Sequence, residues 1–287
     1  VFRSVWGEAE PVAFNYIFNA MGGGLTLARP AFDLVLAEAV EGRGGLRLNR
    51  CRVRSVERRC KGWCLALSGP GGPAALDAAY LVDATGRAAW LSRRMGRRPA
   101  AHDRLVGLAA LLSPPPGDGG GGLLEALCDG WWYSSLLPEG EMVAIFLTDS
   151  DLMAERGGAP WDCWVRTLAT SEVTANRMGA VEKADIFRAL PAMTHRLSRP
   201  VGDGWLAVGD AALAADPLSS GGIAKGIAAG LAAAKAVSAV LGGDPAPAAA
   251  YAAGLEEAFH AYLETRTRFY RMEGRWPDSP FWARRHR

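Results

Sequence analysis

The chain has 287 residues, 49% of them apolar and 22% charged, a profile that predicts folded domains with ample core rather than a disordered or fibrous chain. Its formal net charge of +2 is too small to argue for nucleic acid or an anionic membrane as a partner. The chain opens at Val1 with no basic stretch and apolar run, which predicts no signal peptide. Five cysteines without regular spacing predict thiols in a reducing, cytoplasmic setting.

In chain order, residues 1–28 read as irregular and glycine-rich near Gly22–Gly24. Pro30 predicts a helix start, with Phe32, Leu36, Ala39 and Val40 on one face and the Gly42–Gly45 stretch ending it. Strands follow at about 46–57, 63–68 and 76–83. Cys60 and Cys64 flank the first turn of these strands and read as buried thiols; no second ligand pair follows, so no metal site is predicted. A second strand block is predicted at Leu105–Leu112, Trp131–Leu137 and Met142–Leu147, with a flexible Pro114–Gly122 loop and a helix over about 160–170. Trp205–Val208 reads as a short buried strand. A small-residue helix then runs from Gly222 to Leu241, with Ile223, Ile227, Leu231 and Ala234 as its apolar stripe. Lys225 and Lys235 interrupt it, and a membrane span needs about 18 apolar residues in a row, so a buried core helix is predicted. Asp244-Pro245 opens a long amphipathic helix to about Arg271, with Tyr251, Leu255, Phe259 and Tyr262 on one side. Strands with crossover helices at both ends and a strand-rich middle predict an α/β fold with an inserted antiparallel sheet.

Three segments carry chemistry. In Gly204–Lys225 a buried strand ends in Gly209-Asp210; an acidic residue there can accept hydrogen bonds from ribose-type hydroxyls, and Gly209 admits a ligand close to the backbone. Asp216-Pro217 makes a rigid turn, and Gly221-Gly222 opens a helix whose first N–H groups lack partners and favour an anion. The second segment is Asp83-Ala84-Thr85-Gly86-Arg87 after an apolar strand. The third is Leu27-Ala28-Arg29-Pro30 at a helix start. Taken singly, each suits a packed turn or a surface arginine as well as a ligand contact.

Together they resemble the flavin monooxygenase and tryptophan-halogenase-like superfamily of FAD-dependent oxidoreductases. The resemblance implies that Asp210 binds the ribityl chain and that Pro217 and Gly221, Gly222 and Ile223 lie along the flavin ring. It also implies that Gly209, Thr85, Gly86 and Arg29 approach FAD. The stretch Tyr270–Arg285, with Trp276, Phe281 and Trp282, is similar to the closing segment of the flavin hydroxylases that mature quinone-cofactor amine dehydrogenases. Its basic cluster could dock a protein partner, or the segment could pack as a cap.

The implied fold is a discontinuous Rossmann-like FAD domain over 1–100 and 200–245, a substrate domain over 101–199, and a C-terminal helix and cap over 246–287. The run Gly117–Gly122 is a low-complexity stretch in a proline- and glycine-rich loop, and no Gly-x-Gly-x-x-Gly turn stands between a strand and a helix, so the chain reads as lacking the first βαβ unit and as inactive by itself. The halogenase run Trp-x-Trp-x-Ile-Pro is not met at Gly130–Pro138, which favours hydroxylation of a small aromatic or peptidyl substrate through a flavin hydroperoxide. NAD(P)H or reduced flavin from a reductase would supply electrons. A halogenase, a prenyl reductase and a non-catalytic maturation scaffold remain as alternatives. Trp131 and Trp132 are candidate walls of a substrate cavity, though sheet packing explains either; His102 and His195 are candidates for proton transfer or structural roles.

Overall fold

The computed structural model describes residues 1–14, 26–115, 117 and 120–287; Gly22–Gly24 and part of the Pro114–Gly122 loop lie outside them. The chain divides into two compact units: Val1–Arg29 with Asp103–Met193 and Leu263–Arg287, and Pro30–His102 with Thr194–Tyr262. Residues 1–14 join the sheet-rich unit rather than the cofactor segments, because Phe2–Val5 pairs in parallel with Gly122–Leu127.

The first unit is built on a seven-stranded sheet. Leu105–Leu112 lies between Ile186–Pro191 and Met142–Asp149, and Gly130–Leu136 pairs with both Met142–Asp149 and Gly122–Leu127, all antiparallel. Successive strand residues point to opposite faces, and each face has its own core. On one, Trp132, Phe146 and Leu108 pack with Trp164 and Cys163 of the Pro160–Thr170 helix. On the other, Trp131 donates its indole N–H to Tyr270 Oη at 3.1 Å, and Trp6 stands edge-on to Trp131, Tyr270 and Trp282.

Charges inside this unit are paired. Glu125 accepts the N–H groups of Glu172, Val173 and Thr174 at 3.0, 3.1 and 2.6 Å, capping the Val173–Met178 helix. Asp149 takes a two-pronged bond from Arg285 at 2.6 and 3.1 Å, and both side chains are 2% exposed. Arg284 bonds Asp149 and Asp151. The C-terminal basic cluster is thus engaged within the chain, and Phe281 and Trp282 are fully buried. This is the cap arrangement.

In the second unit, the meander Arg52–Arg59, Gly62–Gly69, Gly72–Ala78 turns at Gly62, where φ is +128° and a Cβ would meet the Ala78 carbonyl oxygen at 2.4 Å. The strand expected over 76–83 is two strands. Gly72–Ala78 stays in the meander, and Leu81–Asp83 pairs in parallel with Trp205–Ala207. The first strand starts at Arg52 rather than near 46. Cys60 is exposed at the turn and Cys64 is half-buried, so the buried-thiol expectation fails for Cys60; all five cysteines are free thiols.

The Gly222–Leu241 helix differs from expectation. Only Ala233 and Ala236 are buried, against Leu206 and Tyr251, while Ile227 is 47% and Leu231 64% exposed. Its alanines allow the closest approach to the strand beneath, so they rather than the larger residues turn inward. By length and composition it is the one helix among the described residues that could cross a membrane.

Candidate functional site

The site forms where two parallel strands end side by side. Leu81–Asp83 and Trp205–Ala207 pair Ala207 with Asp83, so their loops, Ala84–Arg87 and Val208–Asp210, leave the sheet together. Ligands in open α/β sheets bind beyond such carboxyl ends. The loops are joined by Val208 N–H donating to the Asp83 carbonyl at 3.0 Å.

Asp83, 1% exposed, organises the first loop. Its carboxylate accepts Thr85 N–H and Oγ1–H at 3.1 and 2.6 Å, and Ser92 N–H and Oγ–H at 2.7 Å each. With four donors, it has no capacity left for a ligand and serves as the loop's anchor. Gly86 and Gly209 have φ of +64° and +58°, and a Cβ at either would meet nothing within 4 Å. Both positions require the left-handed backbone and open onto free space.

Asp210 keeps its carboxylate 46% exposed, 3.7 Å from the Arg87 guanidinium. Arg87 also donates to the Ala215 carbonyl at 2.8 Å. The strand pairing His195–Arg196 with Leu213–Ala214 brings His195 behind the turn, where its Nε2 bonds the Asp210 carbonyl at 3.0 Å. Burial pulls the His195 pKa below the usual histidine value, opposed by that carbonyl bond; Arg87 and Arg93 add to the lowering. A neutral ring then donates through Nε2–H. His102 is exposed and stands edge-on to Phe259 at 6.1 Å, with no place at this site.

Downstream, Asp216 is 1% exposed and its carboxylate accepts Leu218 N–H at 2.9 Å. Ser220 sits at φ +47°. The helix begins after Gly221, which supplies no side-chain cap, so its first N–H groups face outward. A groove of about 540 Å³ runs between the Gly222–Leu241 and Ala246–Arg271 helices, walled mainly by Ala229, Ala232, Ala250 and Ala258, and its one end reaches Gly209, Asp210 and Gly222. Burial lowers the Lys225 pKa, and its ammonium lies over the Tyr262 ring at 4.6 Å.

The structure therefore brings Thr85, Gly86, Gly209 and Asp210 together, with Pro217 and Gly221–Ile223 following on the same strand–turn–helix. Arg29 is the first residue of the Arg29–Glu41 helix. Trp131 and Trp132, the candidate substrate walls, are 2% and 0% exposed in packed aromatic cores. Reading the sequence missed Arg87, quoted in its motif but given no task, and Tyr262, read only as helix packing.

No family model matches the chain. Over 286 residues it is 30% identical to the FAD-dependent oxidoreductase LodB of Marinomonas mediterranea, covering 99% of this chain and 77% of LodB. The chain belongs to the FAD-dependent oxidoreductases of the flavin monooxygenase and halogenase type. The chain is also similar in fold to three solved structures, each match covering 99% of this chain. The flavin-dependent halogenase CmlS gives a TM-score of 0.84 at 22% identity, and the peptidyl tryptophan dihydroxylase QhpG gives 0.80 at 26%. The myxobacterial chondrochloren halogenase CndH gives 0.86 at 19%. The chain spans 54%, 63% and 69% of those three chains respectively.

The residues present fit FAD. Open space stands over both left-handed glycines, a half-exposed carboxylate lies at the strand end, and the helix that follows has no side-chain cap at its N-terminus.

Proposed function

We propose that this protein is an FAD-dependent monooxygenase that hydroxylates an aromatic side chain carried on a peptide. The observation that carries the reading is the junction of Thr85–Gly86 with Gly209–Asp210 at the ends of paired parallel strands, beside an uncapped 20-residue helix. Asp210 would accept hydrogen bonds from the ribityl hydroxyls. Gly86 and Gly209 would admit the cofactor to the backbone, and Arg29 would approach it from its helix start. Pro217 and Gly221–Ile223 would lie along the ring, where the helix N-terminus favours negative charge by about 0.3–1 kcal/mol. When bound, FAD supplies the redox chemistry with oxygen. The chain's own residues hold it, orient it and keep the Asp210 turn fixed through Arg87 and His195. Electrons would come from NAD(P)H or from reduced flavin delivered by a reductase. Five free thiols support a cytoplasmic setting.

A peptidyl aromatic substrate is favoured by the similarity to QhpG, whose name records a peptidyl tryptophan dihydroxylase. Halogenation is the second reading, favoured by the shared fold with CmlS and CndH. The Gly130–Pro138 stretch without the halogenase run weighs against it. The test is mass spectrometry of tryptophan-bearing peptides incubated with protein expressed from its complete open reading frame, FAD, a reductant and bromide. Added oxygen supports hydroxylation. Added bromine moves the assignment to the second reading, and tight peptide binding without oxygen consumption would overturn the enzyme reading.

A further inference from the structure

One peptide bond in the second unit is gripped from both edges by side chains far away in sequence. The Ala215 carbonyl accepts from Arg87 at 2.8 Å, and the Asp216 N–H on the other edge donates to Tyr262 Oη at 2.7 Å. Tyr262 is 7% exposed and belongs to the Ala246–Arg271 helix. Accepting from Asp216 leaves its own hydroxyl hydrogen for Thr194 Oγ1, at 2.8 Å. Its ring meanwhile supports the Lys225 ammonium at 4.6 Å. Asp216 enters the turn and Lys225 stands in the first turn of the helix that leaves it, so one side chain holds both entry and exit of Pro217–Gly221. Within that span Ser220 adopts a left-handed conformation, φ +47°. A residue other than glycine keeps such a conformation only where its surroundings fix it.

We infer that Tyr262 is a positioning residue for the cofactor-facing turn, acting through the Asp216 amide to set where Pro217 and the start of the helix stand. The inference rests on the reading of this turn as an FAD contact. Tyr262→Phe removes the hydroxyl while keeping the ring under Lys225, so it isolates the hydrogen bond. Tyr251→Phe is the matched control. It removes another buried hydroxyl of the same helix, bonded at 2.9 Å to the Ala207 carbonyl rather than to the turn.

The experiment uses protein expressed from its complete open reading frame. It reads hydrogen exchange over 216–222, FAD affinity by fluorescence, and the visible circular dichroism of bound flavin. Tyr262→Phe is expected to speed exchange of the Asp216 amide, weaken FAD about 3- to 10-fold, as the loss of one hydrogen bond allows, and alter the flavin dichroism. Tyr251→Phe is expected to lower the melting temperature with the flavin dichroism unchanged. A Tyr262→Phe protein with wild-type exchange at 216–222 and wild-type flavin dichroism overturns the inference, as does a Tyr251→Phe protein that matches Tyr262→Phe. If Tyr262→Phe does not fold, Arg87→Met releases the opposite edge of the same peptide and must speed the same exchange for the inference to stand. Wild-type protein that leaves the FAD spectrum unchanged overturns the cofactor reading, and the inference with it. Faster exchange at 216–222 with wild-type flavin dichroism keeps the turn anchor and overturns its cofactor role.

Discussion

The two units of this protein differ in one carboxylate that the second leaves open. In the sheet unit, charge is taken inside and closed off: Asp149 with Arg285, Glu125 at a helix start, and Glu273 with Arg275. Trp131, Trp132, Phe146 and Trp164 finish on its two sheet faces at near-zero exposure. In the second unit Asp83 and Asp216 are closed off in the same way, but Asp210 is fixed in place and left facing outward. Asp210 is half-exposed although its backbone is tied down by His195, and the Arg29–Glu41 helix buries none of its residues. Closure serves stability; a held but open carboxylate is what the proposed cofactor contact requires. Exposed apolar residues occur in both units, Phe14 and Ile186 in the first and Val35, Ile227 and Leu231 in the second, and do not separate them.

The strongest way to break this contrast is to unpair the closed unit. Asp149→Ala would leave the Arg285 guanidinium at 2% exposure without its carboxylate. Removing one partner of a buried pair costs about 3–5 kcal/mol. A large fall in the urea midpoint is expected. A midpoint within error of wild type would show that Arg285 reaches water and that the unit is less closed than described.

The same operation on the open unit should do the opposite. Asp210→Ala removes a half-exposed carboxylate whose nearest cation is 3.7 Å away, so the midpoint should hardly move. Hydrogen bonds to a charged group contribute about 1.5–3 kcal/mol, so FAD binding should weaken about 10- to 100-fold. Equal loss of stability in the two variants would erase the distinction between a structural and a ligand-facing carboxylate.

Acid should separate the units as well. Burial lowers the His195 pKa from its ordinary 6.5, so the neutral ring contributes stability that is complete above about 6.5 and fades as pH falls toward the lowered value. Glu273 is pushed up by burial, but hydrogen bonds from Arg275 and Gly7 outweigh this and hold it below its usual value. Asp151 is held down to about 2, chiefly by Arg284. Depressed carboxylates keep their contribution until pH falls through those low values. Hydrogen exchange followed from pH 7 downward (roughly one pH unit per step) should therefore show residues 195–214 loosening before the sheet. His195→Gln should abolish that early phase.

The elements legible in the sequence were those fixed by local chemistry. Pro217 after Asp216, the glycines opening the Gly222–Leu241 helix and the apolar Trp205–Ala207 run sit where expected, while Leu81–Asp83 is a separate strand at the end of the one expected over 76–83. What the sequence hid was partnership at long range. Nothing near Arg87 announces that it will meet Ala215, and Tyr262 has the same helical spacing as Tyr251 and Phe259, which only pack or support the sheet. The Ile227 and Leu231 stripe misled for a related reason. Periodicity reports which residues share a face, while the size of the residues opposite decides which face turns inward.

The smallest change expected to separate stability from binding is a single methyl group. Gly209→Ala forces a left-handed φ of +58° on a residue with a Cβ, which costs about 1–2 kcal/mol, and no neighbouring atom lies within 4 Å of that Cβ to add a clash. The drop in the unfolding midpoint should thus match that strain and no more. FAD affinity should fall further than this strain explains, because the methyl group occupies the space through which a ligand reaches the backbone at the strand end. Gly86→Ala, with φ of +64° and equally open surroundings, provides the parallel case on the neighbouring loop. Loss of affinity in both variants, measured by FAD titration beside denaturant unfolding, places the cofactor across the two strand ends. Loss in Gly209→Ala alone confines the approach to the Asp210 turn, and wild-type affinity in both variants means that neither glycine is there for the ligand.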